Sequence, residues 1–221
     1  TMISNSATIV FDQNEPIVTN ATENLLDSIV PTSQIAALPA TSAVPSISLN
    51  WSSTDDADGS GSAGTSILYS ENGGGYLPYL NTAADTATTF SGKWGKPYRF
   101  YPGGRDNAGN VELAPSQPDA TIRILGGDTE GDVSPRPNGN DGQVANDDVA
   151  QVRRFIAKLD SANVYNEFQR SDSAPRLAGG DGALSVADVV QARRFAAALD
   201  QRSEAGGPES PLTYSPKQTA G

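Results

Sequence analysis

Between residues 31 and 126 apolar and polar side chains alternate in short runs separated by Gly, Asp and Asn. A period of two is the signature of half-buried strands. Strands are read at 33–38, 47–52, 66–70, 75–80, 87–90, 98–101 and 120–125. Seven short strands in this length predict a β-sandwich. Trp51 falls in mid-strand and reads as a core anchor. Pro102-Gly103-Gly104 follows the sixth strand and predicts a bulge or an early end there, because proline removes a ladder donor.

The period then changes. Val149, Val152, Phe155, Ile156 and Leu159 fall at helical spacing, as do Val189, Ala192, Phe195, Ala196 and Leu199. Each stripe needs a partner face, so the two helices are expected to pack on each other. Residues 1–30 hold one alternating stretch, 7–12, with Ile9 and Phe11 on one face, and a shorter stretch, 16–19, that reads with it as strand without a host. The chain thus divides into an orphan strand and linker (1–30), a sandwich (31–126), a loop-helix region (127–200) and a Ser/Pro/Gly-rich extended tail (201–221).

The loop-helix region is an internal duplication. Residues 132–160 align without gaps on 172–200, with 15 identities in 29 positions. Asp132 falls on Asp172, Asp141-Gly142 on Asp181-Gly182 and Asp148-Val149 on Asp188-Val189. Gln151, Arg153-Arg154-Phe155 and Leu159-Asp160 recur as Gln191, Arg193-Arg194-Phe195 and Leu199-Asp200. Calcium takes six to eight oxygens from a flexible loop with a glycine at its sharp turn. An Asp-Gly pair, followed six residues on by an Asp opening a helix, supplies the turn and a carboxylate. The same Asp residues also suit helix caps and turns, and capping is expected of Asp148 and Asp188 in either case.

The duplicated loop-helix pattern resembles a dockerin, a calcium module of cellulosomes and other bacterial surface proteins. That resemblance implies calcium at Asp132, Asn138, Asn140, Asp141 and Asp148 in the first loop, and at Asp172, Asp181, Ser185 and Asp188 in the second. The match is poorer at the loop starts, where Pro135-Arg136-Pro137 and Pro175-Arg176-Leu177 are inserted. It also implies a cohesin as docking partner, although the helix faces here carry Arg pairs and Ala. Residues 31–126 resemble bacterial fibronectin-type-III-like and immunoglobulin-like repeats, through Leu49-Asn50-Trp51-Ser52, the loop 55–61, Tyr98-Arg99-Phe100-Tyr101 and Asp106-Asn107-Ala108-Gly109-Asn110. The fold class expected is therefore mainly β, an Ig/fibronectin-III-like sandwich plus a small α-helical dockerin-like domain.

Loops after the second and sixth strands of such a sandwich emerge at one end. Asp55, Asp56 and Asp58 could there meet Asp106 and Asn107 as a further calcium site, or both loops could be ordinary polar turns. Asn20 and Asn50 match the short glycosylation pattern.

Fifteen basic side chains against 26 acidic ones give a net charge of −11, which disfavours nucleic acid as a partner. Cys and His are both absent, which excludes thiolate and imidazole zinc sites and His-dependent nucleophilic catalysis. The acids that remain sit in repeat loops, and an enzyme is not expected. No apolar run is long enough for a transmembrane helix.

A secreted, cell-surface structural protein is the reading these features favour. The stretch 7–12 resembles the closing strand of repeats that precede such sandwiches in bacterial surface proteins. Ile9, Val10 and Phe11 need a partner, either their own sandwich or a neighbouring chain as in donor-strand pili. The second choice implies a head-to-tail homo-oligomer or filament. A carbohydrate partner for Trp94 and Tyr76 is a further reading, with Trp94 as a plug of the sandwich end as its alternative.

Overall fold

The computed structural model describes residues 1–137 and 141–213, apart from the side chains of Thr82 and Ala83. The protein is mainly β, with 31% strand and 14% helix, and its larger sheets form a sandwich-like arrangement. Two compact units are distinguished: Thr1–Pro39, Ser48–Phe90 and Tyr98–Thr121 make the first, and Ala40–Ile47, Ser91–Pro97 and Ile122–Gly221 the second.

The chain begins with β1 (Met2–Asn5), β2 (Thr8–Ile9), β3 (Ile17–Val18) and β4 (Thr22–Leu25). β1 pairs antiparallel with β4 from Met2 opposite Leu25 to Asn5 opposite Thr22. β2 pairs with β3, Thr8 opposite Val18 and Ile9 opposite Ile17. The four strands make one two-stranded ribbon that turns at Phe11–Asn14, where the Asn14 amide donates to the Phe11 carbonyl at 2.9 Å. The expected orphan strand is therefore not alone. Its partner β3 lies inside the stretch 16–19 that the sequence also marks as strand; that the two pair with each other was not legible, because β3 is only two residues long and follows Pro16.

Eight further strands follow: β5 (Thr32–Ile35), β6 (Thr41–Ser42), β7 (Ser46–Thr54), β8 (Ser62–Glu71), β9 (Leu77–Ala83), β10 (Ala87–Ser91), β11 (Pro97–Asp106) and β12 (Ala120–Ile124). They form a three-stranded sheet, β10-β7-β5, and a five-stranded sheet, β6-β12-β11-β8-β9. The alternation read from sequence is visible in burial: Leu49 and Trp51 on β7, Ile67 on β8, and Tyr98 and Phe100 on β11 are buried, while Asn50 and Arg99 between them are exposed. Phe90 is the hub of an aromatic cluster, its ring centroid 4.9–5.1 Å from those of Tyr69, Tyr79, Tyr98 and Phe100. Tilted and edge-on contacts of this kind add to the area term.

Of the bulge or early end expected at Pro102, the early end does not occur, and the register of β11 shifts only later, between Arg105 and Asp106. The strand pairs with β8 through Pro102 opposite Ile67 as far as Asp106 opposite Ser62. The Asp119 amide donates to Phe100, and Gly104 exchanges bonds with Glu112 on the same edge. By alternation the missing donor of Pro102 faces that edge, between the two contacts, and not the β8 ladder.

The free edge of β5 is closed by side chains. Glu112 Oε1 accepts the Ser33 amide at 3.1 Å, its Oε2 accepts the Gly104 amide at 3.0 Å and the Ser33 hydroxyl, and Asp119 Oδ2 accepts the Ile35 amide at 3.1 Å. Glu112 thus ties an edge strand of one sheet to β11 of the other. Glu112→Ala leaves three donors without this acceptor, and urea unfolding is expected to show a loss of about 1–3 kcal/mol; an unchanged midpoint would refute the bridging role.

The second unit contains α1 (Asn146–Ile156), α2 (Glu167–Ser171), a 3-10 turn (Arg176–Ala178) and α3 (Val186–Ala196). Its core is Val133, Val149, Val152, Phe155, Val189 and Ala192, so the two stripes pack on each other, except that Leu159 and Leu199 lie beyond the helix ends and are exposed. Among the described residues no helix is long and apolar enough to cross a membrane.

Candidate metal centre

The loop from β7 to β8 is acidic and tight. The Gly59 amide donates to the Asp56 carbonyl at 3.0 Å, and the Gly61 amide to Asp55 Oδ2 at 2.7 Å. A Cβ on Gly59 would stand 2.6 Å from Asp56 Oδ1 and 2.7 Å from Asp55 Oδ2, so the two carboxylates close in on this glycine and a larger residue would push them aside. Asp27, just past the ribbon, joins them: its Oδ2 accepts the Ser60 amide at 2.7 Å and its Oδ1 the Ile29 amide at 3.1 Å.

One oxygen from each of Asp27, Asp55 and Asp56 lies within 4.8 Å of the other two. The Ser60 amide, above all, holds the Asp27 carboxyl below its ordinary range. Asp55 Oδ1 and Asp56 Oδ1 are buried and accept no hydrogen bond. Converging carboxylates with open lone pairs repel one another unless a cation lies among them, and oxygen-only donors suit a hard divalent ion.

The two loops expected to meet do meet. The Asn107 side-chain amide donates to the Ser60 carbonyl at 2.8 Å, and the Ala108 amide to the Ser60 hydroxyl at 2.9 Å. Asp106 is largely engaged in its own loop, its Oδ1 accepting the Gly109 and Asn110 amides and its Oδ2 the Asn110 side chain, each at 2.7 Å, but its carboxyl also lies within hydrogen-bonding reach of that of Asp27. Asn107 and Asn110 therefore fix the loops, Asn110 also reaching the Asp27 carbonyl at 3.2 Å. Asp58 lies outside the group of three. Asp27 was missed because it sits 28 residues from Asp55 in a stretch with no motif of its own.

In the repeats, the helix-opening acids serve the backbone. Asp148 Oδ1 accepts the Val133 and Ser134 amides, each at 2.8 Å, and its Oδ2 the Ala145 amide at 2.7 Å. Asp188 does the same with Ser173 and Ala174 at 3.0 and 2.9 Å and with Ser185 at 2.7 Å. The Ser185 hydroxyl caps α3 through the Ala187 amide at 3.1 Å.

Asp132 Oδ2 accepts the Gly142 amide at 3.1 Å, while Asp172 holds the Asp181 and Gly182 amides at 3.0 and 2.6 Å. Asp132 Oδ1 is buried without a partner, and burial pushes that carboxyl up to about 7. Burial also raises Asp148, Asp172 and Asp188. Asp141 and Asp181 are exposed and accept the Gln143 and Ala183 amides. Asn138 and Asn140 lie outside the described residues. Among the described residues, the repeat acids do not bring three carboxylates within 4.8 Å of one another; Asp27, Asp55 and Asp56 do.

Much of the identity between repeats serves a second latch. Arg154 Nε donates to Asp160 at 2.7 Å with Gln151 at 2.8 Å, and Arg194 and Gln191 hold Asp200 at 2.7 and 2.9 Å. One arginine of each pair is thus engaged within the fold, while Arg153 and Arg193 are exposed. Arg136 and Arg176, from the inserted Pro-Arg segments, donate to the Ser161 and Gln201 carbonyls, both at 3.1 Å.

Ile9, Val10 and Phe11 are exposed by 43%, 57% and 59%. Asn20 and Asn50 are exposed, Trp94 is half-buried with its indole nitrogen inside, and Tyr76 packs edge-on against Tyr101 at 4.6 Å. No protein-family model matches the chain. A search of curated proteins found no similar one.

Proposed function

We propose that this chain is an extracellular structural subunit whose amino-terminal ribbon docks on another copy of the chain, with calcium at Asp27, Asp55 and Asp56 bracing the base of the ribbon. The observation that carries the reading is the ribbon itself. Ile9 and Ile17 stand opposite each other on one face of the ribbon and Val18 on the other, Val10 and Phe11 lead into the turn, and all five are more than two-fifths exposed. A lone two-stranded ribbon is marginal in water, and apolar residues on both faces call for cover. Asp27 follows β4 directly, so a cation there links the end of the ribbon to the loop 55–61.

Sedimentation velocity of the whole chain, in calcium and in chelator, tests both parts. Calcium is expected to raise the average mass with protein concentration, and the change of Ile9 and Phe11 to Asp to leave monomer. Asp55→Asn with Asp56→Asn is expected to remove the calcium response while the fold, followed by circular dichroism, is kept. A monomer under every condition overturns the assembly reading, and a calcium response that survives the Asn changes overturns the site.

A further inference from the structure

The ribbon has a complement on the first unit, and naming it rests on the assembly reading above. That unit carries twelve acidic side chains and only two basic ones, Arg99 and Arg105. Both lie on β11, an even number of residues apart, and both are exposed, so by alternation they share the outer face of the five-stranded sheet. Neither forms an ion pair with a described residue. Between them on that face stand the half-buried Tyr101, with Tyr76 edge-on against it, and Gly103, with the Leu68 side chain alongside. The face is therefore an aromatic and apolar step with a cation at each end, about 20 Å apart.

The ribbon has the opposite character. Residues 1–30 hold Asp12, Glu15, Glu23 and Asp27 and no basic side chain. Glu15 and Glu23 lie roughly 25 Å apart along it, with the apolar Ile17 in between and Val18 on the opposite face. Acid, apolar, acid along the ribbon answers cation, aromatic, cation along β11. The sandwich edge at β5 offers no such place, because Glu112 and Asp119 already take the Ser33 and Ile35 amides.

We propose that the ribbon of one copy lies across the Arg99–Tyr101–Arg105 face of β11 in the next. The two surfaces are different patches of the same chain, so the contact is heterologous and propagates into an open chain unless the rotation closes. Arginine and tyrosine at the centre of an interface are the residue types that most often anchor one.

A charge-swap experiment on the whole chain tests this. In Arg99→Glu with Arg105→Glu, self-association measured by sedimentation is expected to weaken at least about tenfold, since like charges then face each other. Glu15→Lys with Glu23→Lys is expected to do the same. Mixing the two variants is expected to restore assembly, because each ribbon then meets a stripe of opposite charge. Melting curves at the wild-type temperature exclude misfolding as the cause. Self-association unaltered by the arginine changes, or no recovery in the mixture, overturns the assignment of β11 but leaves ribbon-driven assembly standing. A wild-type chain that stays monomeric overturns both.

Discussion

Arg136→Ala is expected to destabilise the repeat unit by about 3–5 kcal/mol, the cost of leaving a buried charge without its partner. Glu167 is fully buried, and Arg136 grips it with two bonds, Nε to Oε1 at 2.6 Å and Nη2 to Oε2 at 3.0 Å. The guanidinium also stacks over Phe155, 5.4 Å from the ring centroid, so its loss opens the core as well. Arg136→Lys is expected to recover only part, because an ammonium cannot make the paired contact. Urea unfolding followed by far-ultraviolet circular dichroism reads both values. A loss under 1 kcal/mol for the Ala variant would show that Glu167 finds another partner.

The second large effect is on pH dependence in the absence of metal. Burial pushes Glu130 from 4.5, and Asp132 from 3.8, up to about 7. Arg176 pulls Glu130 down more than the neighbouring Asp172 carboxyl pushes it up, but burial outweighs both. In the folded chain both groups keep a proton to near neutrality, whereas the unfolded chain releases it near pH 4. The folded state therefore binds more protons across that window.

The stability conferred is complete below about pH 4 and is lost as pH rises through 7. Asp160 is held down to about 2 by Arg154, and Asp200 lower still by Arg194, so their opposite slope falls below pH 4 and leaves the window untouched. In chelator the melting temperature is expected to be higher at pH 5 than at pH 8, and Glu130→Gln to flatten the difference. A melting temperature that climbs from pH 5 to pH 8 would contradict the burial of these acids.

Much of the fold was legible because its signals are local. The period of two placed β7, β8 and β11, and the period of 3.6 placed α1 and α3 with the stripes that now meet at Val152 and Ala192. Gapless repetition of Gln, Arg and Asp at fixed offsets announced a duplicated structure. The ends of elements were less legible. Pro102 reads as a bulge or a stop, yet β11 runs on to Asp106 with its register shifting only after Arg105, since which edge a missing donor faces depends on the neighbouring segments.

The acids mark the boundary most clearly. The sequence by itself determined a β-rich region, a duplicated loop-helix unit, and an acidic chain with neither Cys nor His. It also placed Asp55 and Asp56 in a loop that would meet the loop at Asp106. What it left open is what each carboxylate does, because an Asp opening a helix has the same letter whether it binds an ion or three amides. Tertiary structure turned Asp148 and Asp188 into backbone latches, engaged Asp106 largely within its own turn, and brought Asp27 across 28 residues to the two acids whose oxygens remain open. Hydrogen-bond satisfaction and convergence in space are properties of the folded chain, and no spacing along it encodes them.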